Sequence, residues 1–231
     1  MITLGIDTSA SGGGVAVCRD DETLTEAMIA SPLQHAEELL PLIERALGEC
    51  KVGIQAIDLV GVNTGPGSFT GLRIGLATAK GICQAAGIPL AGVDSWTLYR
   101  EQTAADGRVC VAIENRRDLY YAQWFIGDRP LQSAGVMSGD EIVERVRADG
   151  KRVLVVGSGA KKLRDRLKGS PFVQFVDDGT DRFTAAAVAK LAMKRFSHDQ
   201  LYDLEPAYVE PVLARMSKQP RSKRTVYQED S

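Results

Sequence analysis

The residues with the most chemical potential lie in one run, Asn63-Thr-Gly-Pro-Gly-Ser-Phe-Thr-Gly-Leu-Arg-Ile-Gly75. A β-rich stretch, Ile57–Asn63, enters a glycine-rich turn. Ser68 is placed to cap the helix that follows. Such a turn presents backbone N–H groups at a positive helix end, where an anion can bind. The lysine and Ser/Thr of a phosphate loop do not follow, and Pro66 has no N–H to give, so as a phosphate site the run is weak. Asp7 is the second candidate. It ends an apolar strand just before a turn holding Gly12, Gly13 and Gly14. An acid there can hold a metal while Gly12 and Gly13 touch phosphate. It can equally organise its own turn. The corresponding place in the second half, Glu114-Asn115-Arg116-Arg117, has no glycine and offers an anion side chains rather than backbone. Gly157-Ser158-Gly159 reads either as a strand-to-helix turn or as the remnant of a purine-side turn.

Other chemistries are excluded by residue type. The two histidines, His35 and His198, cannot form a His-x-x-x-His metal pair. Cys18, Cys50, Cys83 and Cys110 form no Cys-x-x-Cys motif, and each sits in an apolar segment as a reduced thiol would. Ser68, Ser95 and Ser158 have no fixed histidine partner, so no catalytic triad is supported. The formal net charge of −2 over 231 residues is not that of a basic nucleic-acid binder. Charge is uneven: residues 1–104 carry 6 Lys+Arg against 12 Asp+Glu (net −6), and residues 105–231 carry 22 against 18 (net +4). No apolar run is long enough to span a bilayer. Met1–Asp7 reads as a strand rather than a signal peptide, so the expected compartment is the cytoplasm.

The elements that must position these residues come in two similar series. Ile2–Asp7, Val15–Cys18 and Thr23–Ile29 read as a three-stranded meander with tight turns. A helix over 34–49 follows, with Pro41 inside it as a kink or a late start. Strand 57–63, helix 68–86 and strand 88–93 complete the first series. The second runs through strands 109–114, 120–126 and 131–137 and a helix from the capping box Ser138–Glu141 to about Arg147. Strand 152–156, a short helix, strand 172–176 and helix 184–196 close it. This is an α/β duplication, with a boundary near 100–106. The expected units are 1–103, 104–211 and a basic tail, 212–231, either solvated or touching phosphate.

The helix over 68–86 is too apolar for a surface helix. Phe69, Leu72, Leu76, Ala79 and Cys83 form one face, suited to the domain's own sheet. Gly71, Ile74, Gly75, Thr78 and Ile82 form another, and together they span an arc of about 220°. Each glycine costs roughly 1 kcal/mol of helix propensity, so this smooth face should be covered closely. Helix 34–49 or a partner's helix can serve.

The chain resembles the bacterial TsaB (YeaZ) family. The resemblance is carried by Ile6-Asp7-Thr8-Ser9, by Gln34-His35-Ala36-Glu37 with Leu40-Pro41, and above all by Gly65-Pro-Gly-Ser-Phe-Thr-Gly-Leu-Arg-Ile-Gly75. Weaker matches extend through Tyr120-Tyr121 and Pro206-x-Tyr208 to about residue 211. It implies an actin-like ATPase fold of two ribonuclease-H-like halves. It also implies a non-catalytic, cofactor-free subunit of the N6-threonylcarbamoyladenosine modification of tRNA. Such a subunit pairs with TsaD, is joined by TsaE and meets tRNA through the complex. A sticky helix face can also pair with itself, so a homodimer is expected without the partner. The pairing surface implied is the two N-terminal helices, here Leu39, Ile43, Ala46, Gly71, Ile74, Gly75, Thr78 and Ile82. Glu114-Asn115 departs from the Asp-Ala usual in relatives. An ATP-dependent enzyme using Asp7 and Gly12–Gly14, or a self-associating module, are the alternatives from other classes.

Overall fold

A computed structural model describes residues 1–10, 13–29, 35–103, 107–176 and 184–209. Strands β1 (Ile2–Asp7), β2 (Gly13–Arg19) and β3 (Glu22–Ile29) form the expected meander. Then come α1 (His35–Glu49), β4 (Leu59–Gly65), α2 (Phe69–Ala86), β5 (Leu90–Asp94) and α3 (Ser95–Thr103). The second series comprises β6 (Arg108–Glu114), β7 (Leu119–Ile126), β8 (Arg129–Pro130), β9 (Gly135–Ser138), α4 (Gly139–Asp149), β10 (Val153–Val156), α5 (Ala160–Arg166), β11 (Val173–Phe175) and α6 (Ala185–Arg195).

The first sheet has the order β3-β2-β1-β4-β5 and the second β8-β7-β6-β10-β11, with β9 also on β7. In each, the meander is antiparallel and the later strands add in parallel. The two orders are the same pattern. That is the duplication expected of two ribonuclease-H-like halves.

Strand alternation assigns each face its cover. Leu4, Ile6, Val60 and Val62 point to one side of the first sheet and pack with Leu39, Ile43 and Ala46 of α1 and Leu76, Ala79 and Cys83 of α2. Gly5 and Gly61 point to the other side, where α6 lies. A Cβ at Gly5 would fall inside the Ala185 carbonyl oxygen, and one at Gly61 would collide with the Ala192 methyl. Helix α6 thus rests on β1, β2 and β4. The boundary near 103 separates the sheets but not the packing, because a helix from the second series covers the first sheet. Val188 and Leu191 of α6 and Leu98 and Tyr99 of α3 also meet Val109, Val111 and Phe125 of the second sheet. Helices α4 and α5 cover that sheet's far face through Ile142, Val146 and Leu163.

Helix α1 runs through Pro41 on its exposed side rather than starting after it. Helix α3 has no counterpart in the sequence reading. Its signal was Asp94, whose carboxylate accepts from the Thr97 amide (2.9 Å) and hydroxyl (2.8 Å). The expected strand 131–137 is instead two short pieces on β7. Beyond α6, a strap covers the open edge of β5. The Asp199 carboxylate accepts from Leu90 N (2.9 Å), the Gln200 side chain from Gly92 N (2.8 Å), and Thr64 O from Ala207 N (2.8 Å). Edge groups left bare invite foreign strands, and the strap removes that hazard. The tail 212–231 and Gly12 lie outside the described residues.

Gly61→Val forces α6 off the sheet and should lower unfolding stability by roughly 1–3 kcal/mol or more. Gly81→Ala, in a helix interior with open space around it, should raise it by roughly 0.5–1 kcal/mol. Urea melts of both variants test this, and equal losses would contradict the packing.

Candidate functional site

The end of β1 and the glycine run meet in a buried hydrogen-bond knot. Asn63 on β4 has no exposed surface. Its Nδ2 donates to Asp7 Oδ1 (3.0 Å) and to Ser9 Oγ (2.8 Å). Its Oδ1 accepts from Gly65 N (2.8 Å) and from the Ser95 hydroxyl (3.1 Å) at the start of α3. Asp7 Oδ1 also accepts from Ser9 N (3.0 Å). Burial pushes the Asp7 carboxyl above its ordinary range, against the hydrogen bonds from Ser9 and Asn63 that pull it down. Asp7 organises its own turn.

The glycines of the run are set by this turn. Ser68 N donates to Ser9 O (2.6 Å), and the Thr8 hydroxyl donates to Gly71 O (2.7 Å). A Cβ at Gly71 would fall inside the Thr8 carbonyl oxygen, one at Gly67 inside the Ser9 carbonyl oxygen, and one at Gly75 inside the Thr8 hydroxyl. The expectation that a partner covers Gly71 and Gly75 is therefore corrected. The chain's own Thr8 covers them, and only glycine allows α2 to come so close.

Leu39, Ile43 and Ala46 are corrected in the same way. They are 1%, 3% and 0% exposed and face the first sheet, so no partner reaches them. Ile74, Thr78 and Ile82 are half-buried on the flank of α2. The outward surface is made of other residues. Ala77, Gly81 and Ala85 on α2 and Pro41 on α1 are exposed, and Leu40 is 53% exposed. Phe69, assigned to the core face, is instead turned out. The Arg73 guanidinium lies 3.7 Å from its ring centroid, and Arg73 Nε donates to the Tyr208 hydroxyl (2.9 Å) at the end of the strap.

Beyond the carboxyl ends of β1, β4, β6 and β10 lies a cleft of about 470 Å³, where open parallel sheets usually bind ligands. Ser9, Gly67, Ser68 and Phe69 line it from the first half, and Ile113, Glu114, Asn115, Tyr121 and Ser158 from the second. From the sequence, Gly157-Ser158-Gly159 reads either as a strand-to-helix turn or as the remnant of a purine-side turn; the structure places Ser158 in the lining of the cleft. Its hydroxyl accepts from Glu114 N (2.9 Å), and Gly159 N donates to Ala112 O (2.9 Å), tying two strand ends. Glu114 pairs with Lys162 (2.9 Å). Gly13 does not touch the cleft as a phosphate turn would. It pairs with Ile29 in the β2–β3 ladder. A magnesium nucleotide does not fit this donor set. The acid that would serve the metal is buried within Asn63 and Ser9, and the rim acid Glu114 is paired with Lys162. Among the described residues, no three His, Cys, Asp or Glu side chains come together as a metal site. No helix among them is long and apolar enough to cross a membrane.

Residues 28–166 match the family model described as TsaD, tRNA N6-adenosine threonylcarbamoyltransferase. The Escherichia coli protein named tRNA threonylcarbamoyladenosine biosynthesis protein TsaB is 28% identical over 224 residues, covering 93% of this chain and 95% of that one. The solved structure of YeaZ from Pseudomonas aeruginosa superposes with a TM-score of 0.69 at 25% identity, over 90% of this chain and 99% of that one.

The chain belongs to the TsaB (YeaZ) family.

An uncharacterized Mycobacterium tuberculosis protein is 37% identical over 133 residues, 57% of this chain, and the match spans only 63% of that relative's length. A Bacteroides thetaiotaomicron protein with an actin-like ATPase fold aligns with a TM-score of 0.51 at 11% identity, a likeness of fold alone. The fold is actin-like, as the family resemblance implied.

Two outcomes check the site. Gly75→Ala meets a side-chain atom of Thr8, whereas Gly71→Ala meets its backbone. Each should cost roughly 1–3 kcal/mol. Adding Thr8→Ala should recover part of the Gly75→Ala loss and none of the Gly71→Ala loss, read by a double-mutant cycle of urea melts. Asp7 holds its proton more tightly in the folded than in the unfolded chain. It favours the fold at low pH, and that contribution is lost as pH rises through its raised native value. Asp7→Asn should therefore be neutral or stabilising at neutral pH, with the benefit fading in acid. A loss of stability equal at every pH would contradict this.

Proposed function

We propose that this chain is a non-catalytic scaffold subunit that pairs with a TsaD-type transferase in the threonylcarbamoylation of tRNA adenosine. Its relatives' names supply the pathway, and the matching family model supplies the kind of partner. The observation that carries the pairing is the outer surface of α1 and α2. Ile74, Ala77, Thr78, Gly81, Ile82 and Ala85 run along α2 without a charge among them, and Leu40 and Pro41 stand out from α1. Small and apolar residues on adjacent helices suit close packing against a second helix pair. The scaffold role is supported by Asp7, whose carboxylate is held inside by Asn63 and Ser9 rather than offered to a substrate.

On this proposal tRNA is met through the complex, TsaE joins the pair, and the subunit works in the cytoplasm. Without its partner the same surface forms a homodimer. An ATP-dependent activity of the chain alone is disfavoured by the commitment of Asp7 to its own turn.

The test must use a residue that the monomer does not need. Gly75→Arg, suggested by the helical wheel, would unfold the Thr8 contact and report nothing about pairing. Ala77→Arg is exposed and should leave the melting temperature unchanged. It should weaken pairing with the TsaD-type subunit by at least about a hundredfold, read by light scattering on mixed samples. Undiminished pairing would place the interface elsewhere.

A further inference from the structure

Helix α2 is flanked on both sides. The sheet order β3-β2-β1-β4-β5 sets α1, which packs on β2 and β3, to one side of it, and the strap along β5 to the other. The strap is fastened to both ends of α2. In the first turns Arg73 Nε donates to the Tyr208 hydroxyl (2.9 Å), and the Phe69 and Tyr208 ring centroids are 5.6 Å apart. In the last turn Gln84 Oε1 accepts from the Tyr202 hydroxyl (3.1 Å). Leu204 fills the space that a side chain at Gly92 would need, and with Leu201 it packs against the first core. The strap is thus a fixed wall, but its rings are not used up inside. Tyr202 is 78% and Tyr208 41% exposed, beside Phe69 at 45%. Exposed large rings next to an uncharged strip of small residues are the composition of an interface core rather than of ordinary surface.

Both flanks carry the same sign of charge. Glu37 and Glu44 stand about one turn either side of Leu40 and Pro41 on the outer face of α1, and both are exposed. Asp203 and Glu205 are exposed on the strap. In all, α1 holds four acids against Arg45, residues 197–208 hold three acids and no lysine or arginine, and α2 holds only Arg73 and Lys80. Arg45 pairs with Glu49 (3.8 Å), and Arg73 is held by Phe69 and Tyr208. Charge of one sign around an apolar strip selects what covers it. A second copy of this chain brings the same acids, and like charges facing each other across an interface cost affinity. A helix pair with lysine and arginine around an apolar centre meets no such repulsion. We propose that the pairing surface extends from α1 and α2 onto the strap, and that its occupant is a TsaD-type subunit whose helix pair carries a basic rim, while this chain's own acids hold self-pairing down. The inference rests on the pairing proposed above and adds to it a third wall and the charge of the partner.

Sedimentation equilibrium on the full chain, alone and mixed with a TsaD-type subunit, tests this at about 0.05 M and about 0.5 M sodium chloride. The mixed pair should weaken at least about fivefold at the higher salt, and self-pairing should tighten at least about twofold, because screening removes an attraction from one and a repulsion from the other. Asp203→Lys and Glu44→Lys change exposed residues and should leave the melting temperature unchanged. Each should weaken the mixed pair at least about fivefold and tighten the homodimer. Tyr202→Ala should weaken the mixed pair at least about tenfold, again without a change in melting temperature. Ala77→Arg separates the two levels of the account. If it leaves pairing whole, the surface lies elsewhere and the strap falls with it. If it breaks pairing while Tyr202→Ala and Asp203→Lys do not weaken it, or if the mixed pair does not weaken with salt, the pairing on α1 and α2 stands and this inference alone is overturned.

Discussion

The molecule depends on one buried side chain, Asn63. With no exposed surface, all four of its hydrogen-bonding positions must be met inside the protein. Asp7 and Ser9 accept from it, and Gly65 N and Ser95 donate to it. Those partners belong to the turn after β1, the turn after β4, and the start of α3. One amide thus fixes the ends of two strands and the direction of a helix. Buried networks of this kind stabilise only when every member is satisfied. That is why Asp7, an acid in a place where an enzyme might use one, is turned to architecture.

The glycine run follows from that knot. With the Thr8–Ser9 backbone held in place, α2 must pass against it, and Gly67, Gly71 and Gly75 are the positions where any side chain would collide. Helix α2 sits so deep that Gly71 and Gly75 of its second apolar arc are covered within the chain, while Ile74, Thr78 and Ile82 stay half-buried on its flank. What it leaves outside is a shallow strip of small uncharged residues. Helix α1 contributes Leu40 and Pro41 beside it while Leu39, Ile43 and Ala46 face the sheet. The surface for a partner and the internal clamp are opposite sides of the same two helices.

Much of this was legible in the residues. Alternating strands, tight turns and capped helices yield the duplicated order, and the capping box at Ser138 and the N-cap at Ser68 sit where their residues imply. The helical wheel correctly identified an excess of apolar surface on α2. It could not tell which part the chain itself would cover, because the covering atoms come from Thr8, more than sixty residues earlier. Helical period carries no information about contacts of that range. The strap over β5 and the close approach of α6 to Gly5 and Gly61 were hidden for the same reason. In the cleft, Ser9, Asn115 and Ser158 are unremarkable by type and spacing. Only the fold brings them to one cleft.

The central claim is that the outer faces of α1 and α2 pair with a partner while the Asn63 knot and the cleft remain internal features of the free chain. Amide hydrogen exchange on this chain, alone and mixed with a TsaD-type subunit, tests it most directly. Slowed exchange across residues 36–45 and 74–85, with residues 113–115 and 158 unchanged, is the result the account requires. Protection confined to the cleft rim, with both helices exchanging as before, would contradict it.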